Sequence, residues 1–287
     1  MSQCLTPVTV KNPKTGVLIT VPCGKCVACM SNRQAEWAFR LQQEMKVSSS
    51  ALFITLTYAD EKLPLSPSGL PTLSKRDVQL FIKRMRTAVA DAGFNNKLRY
   101  YLCGEYGPTT HRPHYHMILF NYPRHEYAVD HLNILQSWNL GNIKIDNANA
   151  SRMAYCAKYC ISLFDNEFFK GKDIQKPFSL MSTKPALGSN YLTDDICDYH
   201  HRVRLPYLRI QQGIKVRLPR YYKEKIFDRT EKAIIAYRAK NRSIEHERLQ
   251  FEKDLKNFAS SELAPETQHI LDINRREYQK FIKSRKL

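Results

Sequence analysis

Residues 98–120 read LRYYLCGEYGPTTHRPHYHMILF. Leu98–Cys103 and Tyr115–Phe120 are rich in aromatic and aliphatic side chains, and Gly104–Pro113 between them carries glycine, proline and threonine. Two β-prone runs around a turn-prone segment predict a long antiparallel hairpin. His114, Tyr115 and His116 open its second strand. Side chains at i and i+2 of a strand leave the same face, so the two imidazoles can share one divalent cation. Taken alone, a His-x-His pair fits a plain polar sheet surface equally well.

The flanking sequence continues the pattern. Leu52–Tyr58 (LFITLTY) reads as a buried strand with Thr55 and Thr57 on one face, and residues 59–73 as a Pro/Gly-bearing loop. Ser74 with Asp77 resembles a capping box for a helix carrying Val78, Phe81, Ile82, Met85 and Val89, which stops at Gly93. Ser31 can cap an earlier helix with Trp37, Leu41 and Met45 at four-residue spacing. Downstream come an amphipathic stretch with Leu132, Leu135 and Trp138, a short strand at 141–145, and a helix capped by Ser151 that runs to Tyr159. The order strand–helix–strand–strand–helix–strand–helix predicts an α+β domain on a central antiparallel sheet with flanking helices. Beyond residue 222 alternating charges predict a helical C-terminal extension, exposed along its length.

Charge narrows the partner. Lys and Arg number 45 against 27 Asp and Glu, a formal net charge of +18, which favours a polyanion. No apolar run reaches the ~18–20 residues of a membrane span, and Met1–Cys4 does not open a signal peptide. Nucleic acid is therefore the expected partner, with no membrane. Lys83, Arg84 and Arg86 on the capped helix, Arg112 before Pro113, and His111 in the hairpin turn are candidate DNA contacts, each also explained as solvated surface. His125, His131, His200 and His201 read as surface residues.

Three of the eight cysteines, Cys23, Cys26 and Cys29, fall within seven residues. They offer thiolates for Zn2+, with a fourth ligand from Cys4 or from a distant Cys or His. The alternative is reduced cysteines packed at the start of a helix.

In Tyr155-Cys-Ala-Lys158-Tyr159, the phenols at i and i+4 of a helix project together, and Lys158 lies near that face. Helix surface and core packing would also account for this motif. Combined with the histidine pair, it suggests a metal that polarises a phosphate and a tyrosine that attacks it in line.

The motif order FITLTY, GEYGPTTHRPHYHMILF, YCAKY resembles the rolling-circle replication initiators of the HUH endonuclease superfamily, and its two tyrosines resemble the Microviridae form. PCGKC at 22–26, Cys29, Arg33, Trp37, Arg40, Glu44, Met181, Ser182, Pro185, Gly188 and LPRYY at 218–222 sharpen the resemblance to the gokushovirus type. It covers roughly residues 20–225.

The resemblance implies an HUH, RRM-like core and a two-tyrosine DNA-nicking endonuclease and strand transferase. His114 and His116 would be metal ligands, Tyr155 and Tyr159 nucleophiles, and Lys158 the catalytic-helix lysine. A third ligand, often a carboxylate, comes from the neighbouring strand in such proteins. Glu105 is the candidate here, unless it pairs instead with Arg99 or Arg112. The strand bearing Thr55 and Thr57 would line the DNA. Tyr115 stands where an aliphatic residue is common, and Cys160-Ile-Ser-Leu163 lacks the basic residue often found after the second tyrosine.

The implied cofactor is Mg2+ or Mn2+. The implied partners are single-stranded and supercoiled origin DNA with host helicase and polymerase, in the cytoplasm of the bacterial host. The expected organisation is a Cys-containing segment with its first helix at 1–45, a nicking core at 46–170, an accessory segment at 171–221 and the basic extension at 222–287. The absence of GxxxxGK[ST] excludes a fused P-loop helicase. Two competing readings are a transposase or relaxase of the same superfamily and a non-catalytic zinc-containing DNA-binding protein.

Overall fold

The computed structural model describes residues 4–13, 15–95, 97–107, 109–159, 166–209, 213 and 215–257, together with 272, 273 and 276. Along the chain these form β1 (Val8–Lys11), β2 (Leu18–Val21), α1 (Val27–Lys46), β3 (Ala51–Thr57), α2 (Lys75–Asp91), β4 (Arg99–Tyr106), β5 (Pro113–Phe120), α3 (Tyr127–Trp138) and β6 (Ile143–Asn147). There follow α4 (Ala150–Tyr159), α5 (Asn166–Phe169), β7 (Phe178–Met181), α6 (Asp194–Val203), β8 (Tyr207–Arg209), β9 (Lys215–Arg217), α7 (Arg220–Ile226) and α8 (Arg229–Asn257). The chain divides into two compact units, residues 37–191 and residues 1–36 with 192–287.

The 37–191 unit is the predicted α+β domain. Its five-stranded sheet has the order β6-β3-β5-β4-β7, and every neighbouring pair is antiparallel. On one face Leu52, Ile54 and Leu56 of β3, Leu102 of β4 and Tyr115, Met117 and Leu119 of β5 are buried. They meet Val78, Phe81, Ile82, Met85 and Val89 of α2 and Ile134 and Trp138 of α3. Burying each such large side chain contributes about 1.5–3 kcal/mol. Trp138 Nε1–H donates to the Thr57 carbonyl at 2.9 Å, and the Arg84 guanidinium donates to the Ser137 carbonyl at 2.6 Å, so α3 is fixed to both sheet and α2. Ser74 caps α2 by accepting from Asp77 N–H, as its sequence predicts.

The other face is covered by α4 and by the 37–46 part of α1. Met153, Cys156 and Ala157 of α4 are fully buried, and the Cys156 sulfur lies 3.9 Å from that of Cys103 on β4. Trp37 packs on Tyr101 of β4 with ring centroids 4.8 Å apart. Beneath α1, Arg99 makes a buried bidentate pair with Glu44. Glu44 Oε2 also accepts from Gly188 N–H at 2.8 Å, and Arg99 Nη1 donates to the Pro185 carbonyl at 3.0 Å.

Several sequence expectations need correction. β4 continues to Tyr106, so Gly104 and Glu105 are strand residues and the turn is confined to 107–112. Gly104 is in the strand because a Cβ there would meet the Tyr115 ring at 3.0 Å. In α3 the inward face is Asp130, Ile134, Ser137 and Trp138, whereas Leu132 is 53% exposed. Asn149, not Ser151, caps α4, accepting from Arg152 N–H at 2.9 Å. α1 starts at Val27, a turn before Ser31.

In the other unit, β1 and β2 form a two-stranded hairpin and β8 and β9 another. Asp228 and Glu231 cap α8 reciprocally: Glu231 N–H donates to Asp228 Oδ1 at 2.7 Å and Asp228 N–H to Glu231 Oε2 at 3.2 Å. Glu231 also takes His201 at 3.0 Å and Arg204 at 3.3 Å. His200, expected at the surface, is fully buried, and burial, reinforced by the charge of neighbouring His201, lowers its pKa.

The Glu44–Arg99 pair generates a stability prediction. Arg99→Ala leaves a buried carboxylate unpaired and should cost about 3–5 kcal/mol, read from urea unfolding. A Glu44→Leu/Arg99→Met double variant should recover only part of that loss, because Gly188 N–H and the Pro185 carbonyl lose their partners too.

Candidate active site

β5 is the middle strand, with β3 and β4 as its neighbours. The register sets Glu105 directly across from His114, Cys103 across from His116, Thr57 across from His114 and Thr55 across from His116. Directly opposed residues point to the same side of a sheet. One face therefore collects Glu105, His114 and His116, with Thr55 alongside.

Glu105 Oε1 lies 2.8 Å from His114 Nε2 and 3.1 Å from His116 Nε2. The three ligand atoms all fall within 4.8 Å of one another. An octahedral cation with bonds of ~2.1 Å places neighbouring ligands ~3.0 Å apart, so this donor set matches one hard divalent ion held on a single side. The remaining ring nitrogens are fixed from behind. His114 Nδ1 lies 3.1 Å from the Arg112 carbonyl, which can only accept, so Nδ1 carries the proton. His116 Nδ1 lies 3.0 Å from Thr55 Oγ1. Both contacts free Nε2 to bind a metal. Burial opposes the charged His114 ring, but its hydrogen bond to Glu105, that carboxylate's charge and the Arg112 carbonyl outweigh it and raise the His114 pKa.

Tyr115 points through the sheet to the opposite face. Its hydroxyl lies 2.9 Å from Tyr58 Oη and accepts from Ser74 N–H at 2.8 Å, while Tyr58 donates to Asp77 at 2.8 Å. The aromatic middle residue thus joins β5 to the start of α2. Burial pushes its pKa up to about 12, and burial, with the neighbouring Tyr115 and Asp77, raises that of Tyr58 further.

α4 brings Tyr155 to the histidines. Its ring stands edge-on to His116, with centroids 5.3 Å apart at 80°, and to Phe53 at 6.1 Å. Tyr155 keeps 38% of its surface exposed although the Cys156–Ala157 face beside it is fully buried. Lys158 Nζ lies 6.0 Å from the centre of the Tyr155 ring. Tyr159 closes α4, and its side chain lies outside the described residues.

Other sequence candidates separate from this cluster. Arg99 pairs with Glu44, and Arg112 binds Asp60 at 2.6 Å and the Tyr58 carbonyl at 2.7 Å, leaving Glu105 to the histidines. A phosphate at Arg112 would compete with Asp60. Thr57 Oγ1 donates to the Asn142 carbonyl at 3.2 Å. Lys83, with Arg84, borders a cleft between α2 and α3, on the sheet face opposite the histidines. His111 stacks on Phe168 at 4.1 Å. Cys23, Cys26 and Cys29 group with Cys4 in the other unit. Sequence reasoning missed the Cys103–Cys156 contact and the Arg152 bracket, in which Arg152 binds Asp146 at 3.1 Å and lies over the Phe53 ring at 5.9 Å. Its only signal was a basic residue three before Tyr155.

Comparison with known proteins bears on this core. Residues 51–163 match the family model of the ORF2-type replication-associated proteins. The core belongs to this replication-associated protein family. Replication-associated protein VP4 of Bdellovibrio phage phiMH2K is 29% identical over 71% of this chain and 66% of its own length. The ORF2 protein of Spiroplasma virus 4 is 36% identical over 42% of this chain and 38% of its own. The ORF4 protein of Chlamydia phage 1 is 26% identical over 71% and 53%. The chain thus spans less than two thirds of each of these relatives. Among solved structures, the N-terminal nuclease domain of minute virus of mice non-structural protein 1 aligns over 55% of this chain and 80% of its own, at a TM-score of 0.23 and 10% identity. A superposition of that quality carries no structural argument.

Thr55→Val keeps the shape of the side chain and removes the partner of His116 Nδ1. Mn2+ affinity measured by calorimetry should fall roughly 10–100-fold while the unfolding transition stays cooperative.

Proposed function

We propose that this protein is a rolling-circle replication initiator of the HUH type that nicks origin DNA through a tyrosine. The observation that carries this reading is the position of Tyr155, edge-on to His116 on the sheet face where Glu105, His114 and His116 converge. The +18 formal charge supports a polyanionic substrate, and the phage relatives support replication as its setting.

Glu105, His114 and His116 would hold Mg2+ or Mn2+, which when bound polarises the scissile phosphate. Tyr155 Oη attacks phosphorus in line. The P–O3′ bond breaks, the phenolic proton leaves to solvent, and O3′ takes up a proton to become the 3′-OH primer. The 5′ phosphate stays on tyrosine as a phosphodiester. Lys158 offsets charge building on the phosphoryl oxygens. Tyr159, four residues on in the same helix, is the second nucleophile: it cuts the regenerated origin, and the 3′-OH so released attacks the first phosphotyrosine and closes the displaced strand into a circle. Arg112, Thr55, Thr57 and Lys83 are the proposed DNA contacts. Unwinding and synthesis fall to host helicase and polymerase in the bacterial cytoplasm. Among the described residues no helix is long and apolar enough to cross a membrane.

The test is a nicking assay with Mn2+ and cognate circular or single-stranded DNA, read on a denaturing gel. Wild type should yield a covalent protein–DNA adduct that vanishes with a chelator. Tyr155→Phe/Tyr159→Phe and His114→Ala/His116→Ala should each lower the rate on the order of 10³-fold or more, and the single tyrosine variants assign the two cuts. DNA binding without any adduct on origin-containing DNA would leave the protein a non-catalytic DNA-binding module. An adduct formed by Tyr155 alone, with Tyr159 dispensable for circle closure, would favour the single-tyrosine transposase branch.

A further inference from the structure

The hairpin β1–β2 has almost nothing to hold it. All four residues of β1 are exposed, and of β2 only Val21 is partly covered; Leu18 is 69% exposed. An isolated two-stranded hairpin is marginal in water, and short segments without a core need a covalent or metal staple. At the base of this hairpin Cys4, Cys23, Cys26 and Cys29 bring their sulfurs together, all within 4.8 Å of one another.

We propose that these four thiolates hold a structural zinc ion, and that the ion stands in for the core that the N-terminal hairpin lacks. This inference is independent of the nicking reading.

Distance supports it first. Zn–S bonds are ~2.3 Å, so the edge of a ZnS4 tetrahedron is ~3.8 Å, and the Cys4 and Cys26 sulfurs are 3.8 Å apart. A disulfide would need a separation of ~2.05 Å and could join the cysteines only in pairs.

The donors around the sulfurs support it independently. Cys23 N–H points at the Cys4 sulfur at 3.2 Å, and Leu5 N–H at that of Cys26 at 3.4 Å. The Cys23 sulfur receives Cys26 N–H at 3.3 Å, Lys25 N–H at 3.4 Å and the Thr6 hydroxyl at 3.3 Å. Five donors aimed at three sulfurs suit ligands that carry negative charge. Gly24, at φ +74°, makes the turn that swings the Lys25 and Cys26 amides back onto Cys23. Cys29 completes the set from the first turn of α1.

Ligand chemistry then sorts the metals. Soft thiolates select zinc, whereas the His114–His116–Glu105 set with its carboxylate accepts Mg2+ or Mn2+.

The experiment is metal analysis of the full chain, purified under mild reduction and dialysed against Mg2+. One zinc per chain is expected, retained in His114→Ala/His116→Ala and lost from Cys4→Ser on a chelator wash that leaves wild type loaded. Co2+ exchanged into wild type should give thiolate charge-transfer bands of a tetrahedral site. Should Cys4→Ser fail to fold, alkylation mapped by mass spectrometry on wild type provides a second reading. Cys4, Cys23, Cys26 and Cys29 should be protected until zinc is chelated and should then react together. A zinc-free protein, a pair of these cysteines found as a disulfide, or zinc that stays bound in Cys4→Ser with wild-type Cys4 freely alkylated would each overturn the proposal.

Discussion

β5 has to serve both sides of a sheet that is covered on both sides. Its even-numbered neighbours in register, His114 and His116, face the α4 side, and Tyr115, Met117 and Leu119 face α2 and α3. A strand offers only these two directions, so a slip of one residue would bury imidazoles among leucines and lift aliphatics into the site. The hydrophobic set on one side therefore enforces the polar set on the other. Every distance in the site inherits its precision from packing that never touches it. The Tyr115 hydroxyl strengthens this lock by tying the strand to the cap of α2 from below.

The second support is ionic. Arg99 and Glu44 anchor α1 to β4 on the site face, and the pair also gathers the Pro185 carbonyl and the Gly188 amide. A buried pair of this kind contributes little net stability compared with apolar replacements, yet it discriminates strongly between right and wrong partners. It determines which stretch of chain lies beside β4, and so what can flank Glu105.

Much of this was legible in the sequence because it depends on local periodicity. Alternation in residues 52–57 and 114–120 gives the strands, and the spacing of Val78, Phe81, Ile82, Met85 and Val89 gives α2. The i, i+2 histidines give a shared face. The fourfold gathering of Cys4 with Cys23, Cys26 and Cys29 was one option among several until the hairpin fold brought residue 4 back. What failed to show was long-range. β7 is four residues long and is defined by pairing with β4, not by its own pattern. Glu105 read as a turn residue because Gly104 resembles a turn, although the glycine is there to admit the Tyr115 ring. Whether Glu105 met Arg99, Arg112 or the histidines depended on Glu44 and Asp60, residues far away in sequence that claim those arginines.

The close spacing of Glu105, His114 and His116 along the chain has a kinetic side. All three belong to a single hairpin with a six-residue connection at 107–112, a unit that can zip on a microsecond timescale from contacts near in sequence. Thr55 and Tyr155 reach the same place only after much longer loops have closed. During synthesis the ion-binding half of the site is therefore assembled while the residue beside it is still missing. A growing chain can gather its metal well before it has anything with which to cut, and the helix that brings the phenol is the last part to arm it.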